Sequence, residues 1–175
     1  MKLLIAFLLF ACTVQAQQDQ QQEQQEQPQI QLPEINAKWR MNGNKYLTGG
    51  LMVVAGAAKG FNETLQFHWK AFHAKFPKAN PQWYNPAISW RNKYQDGDPN
   101  KSAKFPLSTS VLVMATDQYH LNNFLNRTAL AAAIVIKIGE KKKKLGYYLK
   151  DLLYYSACYQ AGWSLTYLPF RYKAQ

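Results

Sequence analysis

Cysteine is scarce in this sequence, which contains only Cys12 and Cys158. Cys12 lies within residues 1–16, whose basic start, apolar middle and small residues before the end have the form of a secretory signal peptide. Cleavage after Ala16 would leave Cys158 as the one remaining thiol. An internal disulfide is then excluded, and the fold must be stabilised by packing.

Acidic residues are also scarce, because 10 Asp and Glu stand against 21 Lys and Arg, for a formal net charge of +11. Such a balance predicts a polyanionic neighbour. For an exported protein we expect a membrane or another anionic envelope component as partner, and no specific nucleic acid. The densest positive cluster is Lys141 to Lys144, which predicts either a solvated turn between two helices or a contact with a membrane surface.

Long apolar runs are missing too. Leu152 to Phe170 has no formal charge and has about the length of a membrane span, but its tyrosine, serine and glutamine residues make it too polar for a clear assignment. Residues 47–58 have no polar face, and the spacing of Gly56 and Gly60 permits close approach of another helix. The sequence therefore leaves open a soluble bundle, a membrane-associated bundle and helix–helix self-association.

Three segments are predicted along the chain: a signal peptide at 1–16, a Gln-rich disordered tether at 17–36 and a single helical domain at 37–175. Ten of the fifteen residues from Gln17 to Gln31 are glutamine, and such a stretch cannot bury an apolar face. A Gln-rich association segment is the alternative. Residues 9–12 also have the form of a bacterial lipoprotein box, in which Cys12 would be lipidated, although Phe10 fits that pattern poorly.

The predicted fold is mostly α, a bundle of about three long helices. Proline-free stretches with helical spacing cover about 46–76, 108–138 and 145–167. Between the first two lies a long aromatic loop rich in proline and glycine, which is either functional or a lid across the bundle. On the first helix, the periodicity places His68 on the buried face and Asn62 and His73 on the solvent face.

Asp117 and His120 are the most chemically suggestive pair, because they lie one helical turn apart among apolar neighbours. Such a pair can hold a divalent metal or act as a base and its orienting group. His68 is the natural third metal ligand, followed by Asp151. The alternative, which we favour, is a structural polar pair in a helix interface with His68 as a satisfied core histidine.

The aromatic loop contains a second candidate contact at Trp90, Arg91 and Lys93. An indole next to two cations can stack on sugar rings or nucleobases. The alternative is that the aromatic rings of this loop close over the bundle beside the glycine-rich half of the first helix, and we favour that packing role.

Three sets of short stretches carry a resemblance to known proteins: Ala55-Gly56-Ala57-Ala58-Lys59-Gly60 with Glu63-Thr64-Leu65-Gln66-Phe67-His68, Trp83-Tyr84-Asn85-Pro86 with Ser89-Trp90-Arg91-Asn92-Lys93-Tyr94, and Ser108-Thr109 with Thr116-Asp117-Gln118-Tyr119-His120. These stretches resemble uncharacterised helical cell-envelope proteins of Bacteroidetes-type bacteria and their phages. The resemblance covers about residues 49–124. It implies a bacterial source and brings no activity.

The functional prediction is therefore an exported protein, periplasmic or membrane-associated in a bacterial envelope, with a structural or interaction role. No glycine-rich phosphate loop, G-x-S-x-G elbow, H-E-x-x-H or C-x-x-C motif occurs in the sequence. The alternative is a metal-dependent hydrolase of an envelope lipid or glycan, with His68, Asp117 and His120 as ligands and a bound water as nucleophile.

Overall fold

The computed structural model describes residues 39–171, and this part of the chain is mostly α-helical, as predicted. It contains no β-strand, and only Tyr94 and Ala103 form an isolated antiparallel bridge. The predicted signal peptide, Cys12 and the predicted tether lie outside the described residues. Six α-helices are α1 Gly43–Phe67, α2 Trp69–Lys75, α3 Pro81–Tyr84, α4 Pro86–Ser89, α5 Gln118–Ile138 and α6 Leu145–Arg171, with 3-10 turns at Trp90–Lys93, Gln95–Gly97 and Val113–Ala115.

Helix α1 is the central helix and packs against both α5 and α6. Its contact with α6 is unusually close, because a Cβ atom at Gly56 would overlap the carbonyl oxygen of Tyr159. A Cβ atom at Gly162 of α6 would in turn overlap the carbonyl oxygen of Val53. The close backbone approach predicted from the glycine spacing is therefore present, and α6 of the same chain is the helix that approaches.

The first long helix is shorter than predicted, because it breaks at His68. His68 has φ −127° and ψ 32°, so α1 ends at Phe67 and α2 begins at Trp69. The change of direction lets Phe72 of α2 pack against Phe170, with ring centroids 5.7 Å apart. Phe72 and Phe170 form, with Leu65, the cluster of large apolar side chains that the bundle buries at this end.

The predicted aromatic loop contains two short helices, and each of them begins with a proline. Asn80 caps α3 and Asn85 caps α4, and in each case a proline follows at the first helical position. Proline is favoured there because its missing N–H needs no partner and its φ suits a helix. The second long helix starts at Gln118 instead of about 108, because the Asp117 side chain accepts a hydrogen bond from the N–H of His120 and caps the helix there.

The interface between α1 and α5 is polar, which corrects the predicted solvent position of Asn62. This side chain is 3% exposed and donates to the carbonyl of Tyr119 at 3.1 Å and to the Asn123 amide oxygen at 3.0 Å. Its own amide oxygen accepts from Asn122 at 2.9 Å. The buried amides thus satisfy one another, so burial costs little. Across residues 39–171, no helix has both the length and the apolar character needed to cross a membrane.

Candidate functional site

Asp117 and His120 form a closely bonded pair at the start of α5. The Asp117 carboxylate is fully buried, accepts the Thr116 hydroxyl at 3.0 Å and lies 2.6 Å from Nδ1 of His120. This short contact fixes the orientation of the imidazole ring relative to the carboxylate. The Nε2 atom of His120 is therefore the ring nitrogen left for other partners, and the ring orientation is set by Asp117.

An open cleft of about 740 Å³ lies in front of this pair. It is bounded by the junction of α1 and α2, the 3-10 turn Trp90–Lys93 and the first turn of α5. His68, Trp90, Lys93 and His120 all line it, so the fold brings together four residues that the sequence marked separately. Arg91 is exposed and does not line the cleft, although its guanidinium lies 5.4 Å from the Trp90 ring centroid.

Hydrogen bonds between distant parts of the chain fix the walls of this cleft. Asn92 donates to the carbonyl of Thr116 at 3.1 Å, which joins the 3-10 turn to the residue before Asp117. The Ser108 hydroxyl donates to the carbonyl of Lys93 at 2.7 Å. Trp83 donates its indole N–H to the Gln118 side chain at 3.0 Å, which joins α3 to α5. Because these bonds involve side chains held by packing, the cleft is preorganised.

The charge of the cleft is one-sided. Lys70, Lys93, His68 and His120 line it, and none of the Asp or Glu side chains in residues 39–171 does. Apolar and aromatic surface comes from Leu65, Trp69, Trp90, Tyr119 and Pro86. Such a combination attracts an anion and offers flat surfaces to its organic part.

The predicted metal site is not assembled. No group of three His, Cys, Asp or Glu side chains in the described part of the chain is placed to hold a metal ion. His68 instead has its Nε2 atom 3.1 Å from the hydroxyl of Tyr167, and the two rings lie 5.2 Å apart. Asp151, the other candidate ligand, belongs to a different cluster.

That cluster lies at the other end of the bundle and consists of Lys45, Lys137, Glu140, Lys143 and Asp151; we call it the tip cluster. Asp151 accepts from Lys137 at 3.0 Å and from the indole of Trp39 at 2.9 Å, and Lys45 lies 3.4 Å away. Glu140 accepts from Lys137 at 2.6 Å and also pairs with Lys143. The cluster therefore ties the start of α1, the end of α5 and the start of α6 together.

The ion pairs of the tip cluster shift the pKa values of its members. Burial alone would raise the pKa of Asp151, but hydrogen bonds from Trp39 and Lys137 and the nearby lysine charges outweigh it and hold that pKa below its usual value. The pKa of Glu140 is lowered in the same way by Lys137 and Lys143, again against the effect of burial. Burial would lower the pKa of Lys137, and its bonds to Glu140, Asp151 and Tyr155 raise it instead.

Exposed apolar side chains surround the turn that joins α5 and α6. The exposed fractions are 77% for Ile138, 70% for Leu145 and 58% for Leu149. Lys141 and Lys142 lie between them in the turn and are exposed as well. We call these five residues the tip patch; Leu152, Leu153, Ile134 and Val135 continue its apolar surface along the two helices.

Sequence reasoning missed Lys70 and Tyr119 as lining residues of the cleft. The helical wheel places Lys70 on the solvent face, where it is exposed, but a wheel gives no sign that this side chain borders a cleft. Tyr119 is adjacent to His120, which was the only available signal. The tip cluster was missed because its members lie up to about a hundred positions apart, and no local pattern connects Lys45 with Asp151.

No protein-family model, curated protein or solved structure matches this chain. The resemblance to bacterial envelope proteins therefore stays a prediction. The cleft, the tip cluster and the tip patch are the features of the described residues that bear on function.

Proposed function

We propose that this protein is an exported, membrane-associated interaction protein of a bacterial cell envelope, and that the tip patch contacts the surface of an anionic membrane. The observation that carries the proposal is the coincidence of exposed apolar side chains and exposed lysines at one turn. In this arrangement, the three long helices α1, α5 and α6 form the bundle that supports the patch. The aromatic segment between α2 and α5 lies at the other end of that bundle.

The chemistry of the tip patch matches the interface of a lipid bilayer. Leucine and isoleucine side chains that enter the boundary of the acyl region gain hydrophobic free energy, about 1.5–3 kcal/mol for each that is fully buried. Each lysine near an anionic surface adds about 1 kcal/mol. Ile138, Leu145 and Leu149 can insert while Lys141 and Lys142 face the headgroups. An acidic headgroup supplies the countercharge for a chain with a net charge of +11.

The tip cluster supports the proposal because it makes this end rigid. Asp151 and Glu140 hold Lys45, Lys137 and Lys143, so the turn between α5 and α6 is fixed before any membrane contact. A preformed surface loses less conformational entropy on binding than a flexible one. The described chain also begins at this end, since Trp39 bonds to Asp151.

The test is flotation of the purified protein with vesicles of phosphatidylcholine, alone or mixed with phosphatidylglycerol. We expect association with the anionic vesicles, reduced by salt because the charges are exposed. Lys141→Gln with Lys142→Gln removes about 2 kcal/mol and should weaken the partition coefficient about 30-fold. The matched control is Lys78→Gln with Lys104→Gln, which removes two exposed lysines elsewhere and should have little effect.

The apolar part of the patch has a close control on the same helix. Leu145 and Leu165 are 70% and 72% exposed and lie near opposite ends of α6. Leu145→Ser should weaken vesicle binding about tenfold, whereas Leu165→Ser should leave it unchanged. The proposal would be contradicted if the two leucine variants weakened vesicle binding equally, or if the lysine substitutions at the tip patch left vesicle binding unchanged. A tip variant that abolishes self-association in sedimentation, with vesicle binding intact, would show that the patch is a protein interface.

The geometry gives less support to the alternative, a metal-dependent hydrolase. It required His68, Asp117 and His120 to act as one set of ligands. Asp117 uses both carboxylate oxygens to cap α5 and to hold His120, and His68 contacts Tyr167. No observation in residues 39–171 favours this chemistry over the membrane contact.

A further inference from the structure

We propose that the cleft in front of His120 is a binding site for a small, water-soluble organic phosphate monoester. The phosphate group would lie between Lys93, Lys70 and Nε2 of His120, and the organic part would lie on the rings of Trp90 and Tyr119. The membrane role does not use this cleft, so phosphate binding is a second function of the chain.

The anionic class follows from the charges on the walls. Two lysines and two histidines line the cleft without an acidic side chain among the described residues. A phosphate monoester carries about −1.5 to −2 charges near neutral pH and three acceptor oxygens, so it can accept from several of these donors at once. A neutral ligand would leave the lysines without a countercharge when it displaced water.

The position of the His120 imidazole also favours a ligand in the cleft. Asp117, which is 0% exposed, holds Nδ1 of His120 at 2.6 Å, and His120 lines the cleft. Because Nδ1 is bonded to Asp117, Nε2 is the ring nitrogen left to bond a ligand in the cleft. Burying the Asp117 carboxylate costs desolvation free energy. The cap of α5 needs only the bond from the backbone N–H of His120, so the additional bond to the imidazole is more than the cap requires.

The organic part is inferred from the aromatic wall. Trp90 is 37% exposed as a residue, packs edge-on against Tyr94 at 6.4 Å between ring centroids, and has Nζ of Lys93 6.0 Å from its ring centroid. A flat or apolar group can therefore stack on the indole while its phosphate reaches the lysine. Inorganic phosphate would make only the second of these contacts and should bind more weakly.

The choice of a soluble source over a lipid headgroup rests on the proposed membrane contact. Lys45 belongs to the tip cluster and lies at the start of α1. His68 lines the cleft and directly follows the end of α1. At about 1.5 Å per residue, they are about 35 Å apart along the helix. A phosphate in a membrane that holds the tip patch cannot reach the cleft of the same molecule.

The experiment follows the imidazole signals of the protein by NMR, since the chain has only 3 histidines. The probes are phenyl phosphate, inorganic phosphate, phenol and the soluble short-chain lipid dihexanoyl phosphatidic acid. Phenyl phosphate should shift the His120 signal saturably and leave the His73 signal in place, because His73 does not line the cleft. Phenol should not do so at the same concentrations.

Variants identify the groups that hold the phosphate. Lys93→Gln and His120→Gln should each weaken phenyl phosphate binding about tenfold, the loss expected for a hydrogen bond to a charged group. Lys104→Gln is the matched control, because it removes a nearby exposed lysine that does not line the cleft. Thermal melting of each variant verifies that it is folded, and Lys70→Gln replaces any variant that is not.

Three outcomes would overturn the phosphate site. They are no saturable shift of His120 with phenyl phosphate, equal shifts from phenol, and an equal loss of affinity in Lys104→Gln. Binding of the phosphatidic acid alone would overturn the soluble source. The vesicle experiment uses phosphatidylglycerol, which has no phosphate monoester, and the titration uses no vesicles. Failure of one proposal is therefore distinguishable from failure of the other.

Discussion

At the scale of single residues, Asp151 shows how this protein stabilises a surplus of positive charge. Its carboxylate is buried and faces Lys45, Lys137 and Lys143, and it also accepts from the indole of Trp39. A buried ion pair contributes little net free energy when complete, but removing one member leaves the others uncompensated. Asp151 and Glu140, the two acids of the tip cluster, are therefore important for stability although acidic residues are scarce in the sequence.

We predict that Asp151→Asn lowers the free energy of unfolding by about 3–5 kcal/mol at neutral pH, because buried Lys45 loses its carboxylate partner and Lys137 and Lys143 are left to share Glu140. The pKa of Asp151 is lowered by folding, so its stabilisation is present above the unfolded pKa of about 3.9 and disappears as the pH falls through the folded value. The difference between parent and variant should therefore narrow below about pH 4. Urea denaturation across pH 3 to 7 measures it.

Asp96→Asn is the control for this substitution. Asp96 pairs with Lys101 at 2.8 Å on the surface, and its side chain is 79% exposed. Asparagine also tolerates the positive φ of 53° at that position. If Asp96→Asn lowered the free energy of unfolding as much as Asp151→Asn does, the stabilising role assigned to the tip cluster would be contradicted.

At the scale of elements, the contact between α1 and α6 depends on three glycines that allow the backbones to touch, Gly56, Gly60 and Gly162. The polar bonds across it are short, such as the Thr166 hydroxyl donating to the Ala57 carbonyl at 2.9 Å and the Thr64 hydroxyl donating to the Thr166 carbonyl at 2.8 Å. Few large side chains are buried in this interface. The two helices are held by close backbone packing, which resembles the association of membrane helices.

We predict opposite effects of alanine at two glycines of α1. Gly56→Ala forces a Cβ atom onto the Tyr159 carbonyl, which has no flexible atom to move, and should destabilise the fold by about 1–3 kcal/mol or more. Gly50→Ala meets nothing within 4 Å and should stabilise α1 by about 0.5–1 kcal/mol, because alanine loses less conformational entropy in a helix. Thermal melting of both variants tests this, and a stable Gly56→Ala protein would refute the packing argument.

At the scale of the whole molecule, the two candidate surfaces lie at opposite ends of the described bundle. The tip patch lies where α5 ends and α6 begins, and the cleft lies where α1 ends and α5 begins. Polar links across the middle, such as Asn126 donating to the Ala55 carbonyl at 2.8 Å, join the two ends. A molecule that binds a membrane through the tip thus presents the cleft to the surrounding water.

Hydrogen exchange with anionic vesicles should reveal that orientation. We expect slower exchange in the turn and first helical turn around Lys141 to Leu149, where membrane contact reduces opening and solvent access. The 3-10 turn Trp90–Lys93 should exchange at an unchanged rate. Protection of the cleft by vesicles, without protection of the tip patch, would reverse the proposed orientation.

The sequence by itself determined the helical class, the close approach at Gly56 and the chemical identity of the candidate residues. These properties depend on local periodicity, on the size of single side chains and on composition, all of which can be read along the chain. The end of α1 at His68 was not predicted, because it depends on Tyr167 and Phe170, which are far away in the sequence. The start of α5 at Gln118 was not predicted either, because it depends on a cap that competes with helical propensity. Asn80-Pro81 and Asn85-Pro86 did carry a local signal for two short helices.

Only the tertiary structure decided which side chains act together. His68, Trp90, Lys93 and His120 meet at one cleft because α1 breaks, the 3-10 turn is tied to Thr116, and Asp117 orients the imidazole. Lys45 meets Asp151 across more than a hundred positions, and the lysine block joins exposed leucines into one patch. The physical reason is that burial and electrostatic pairing act between residues that are near in space, and sequence distance does not measure that nearness.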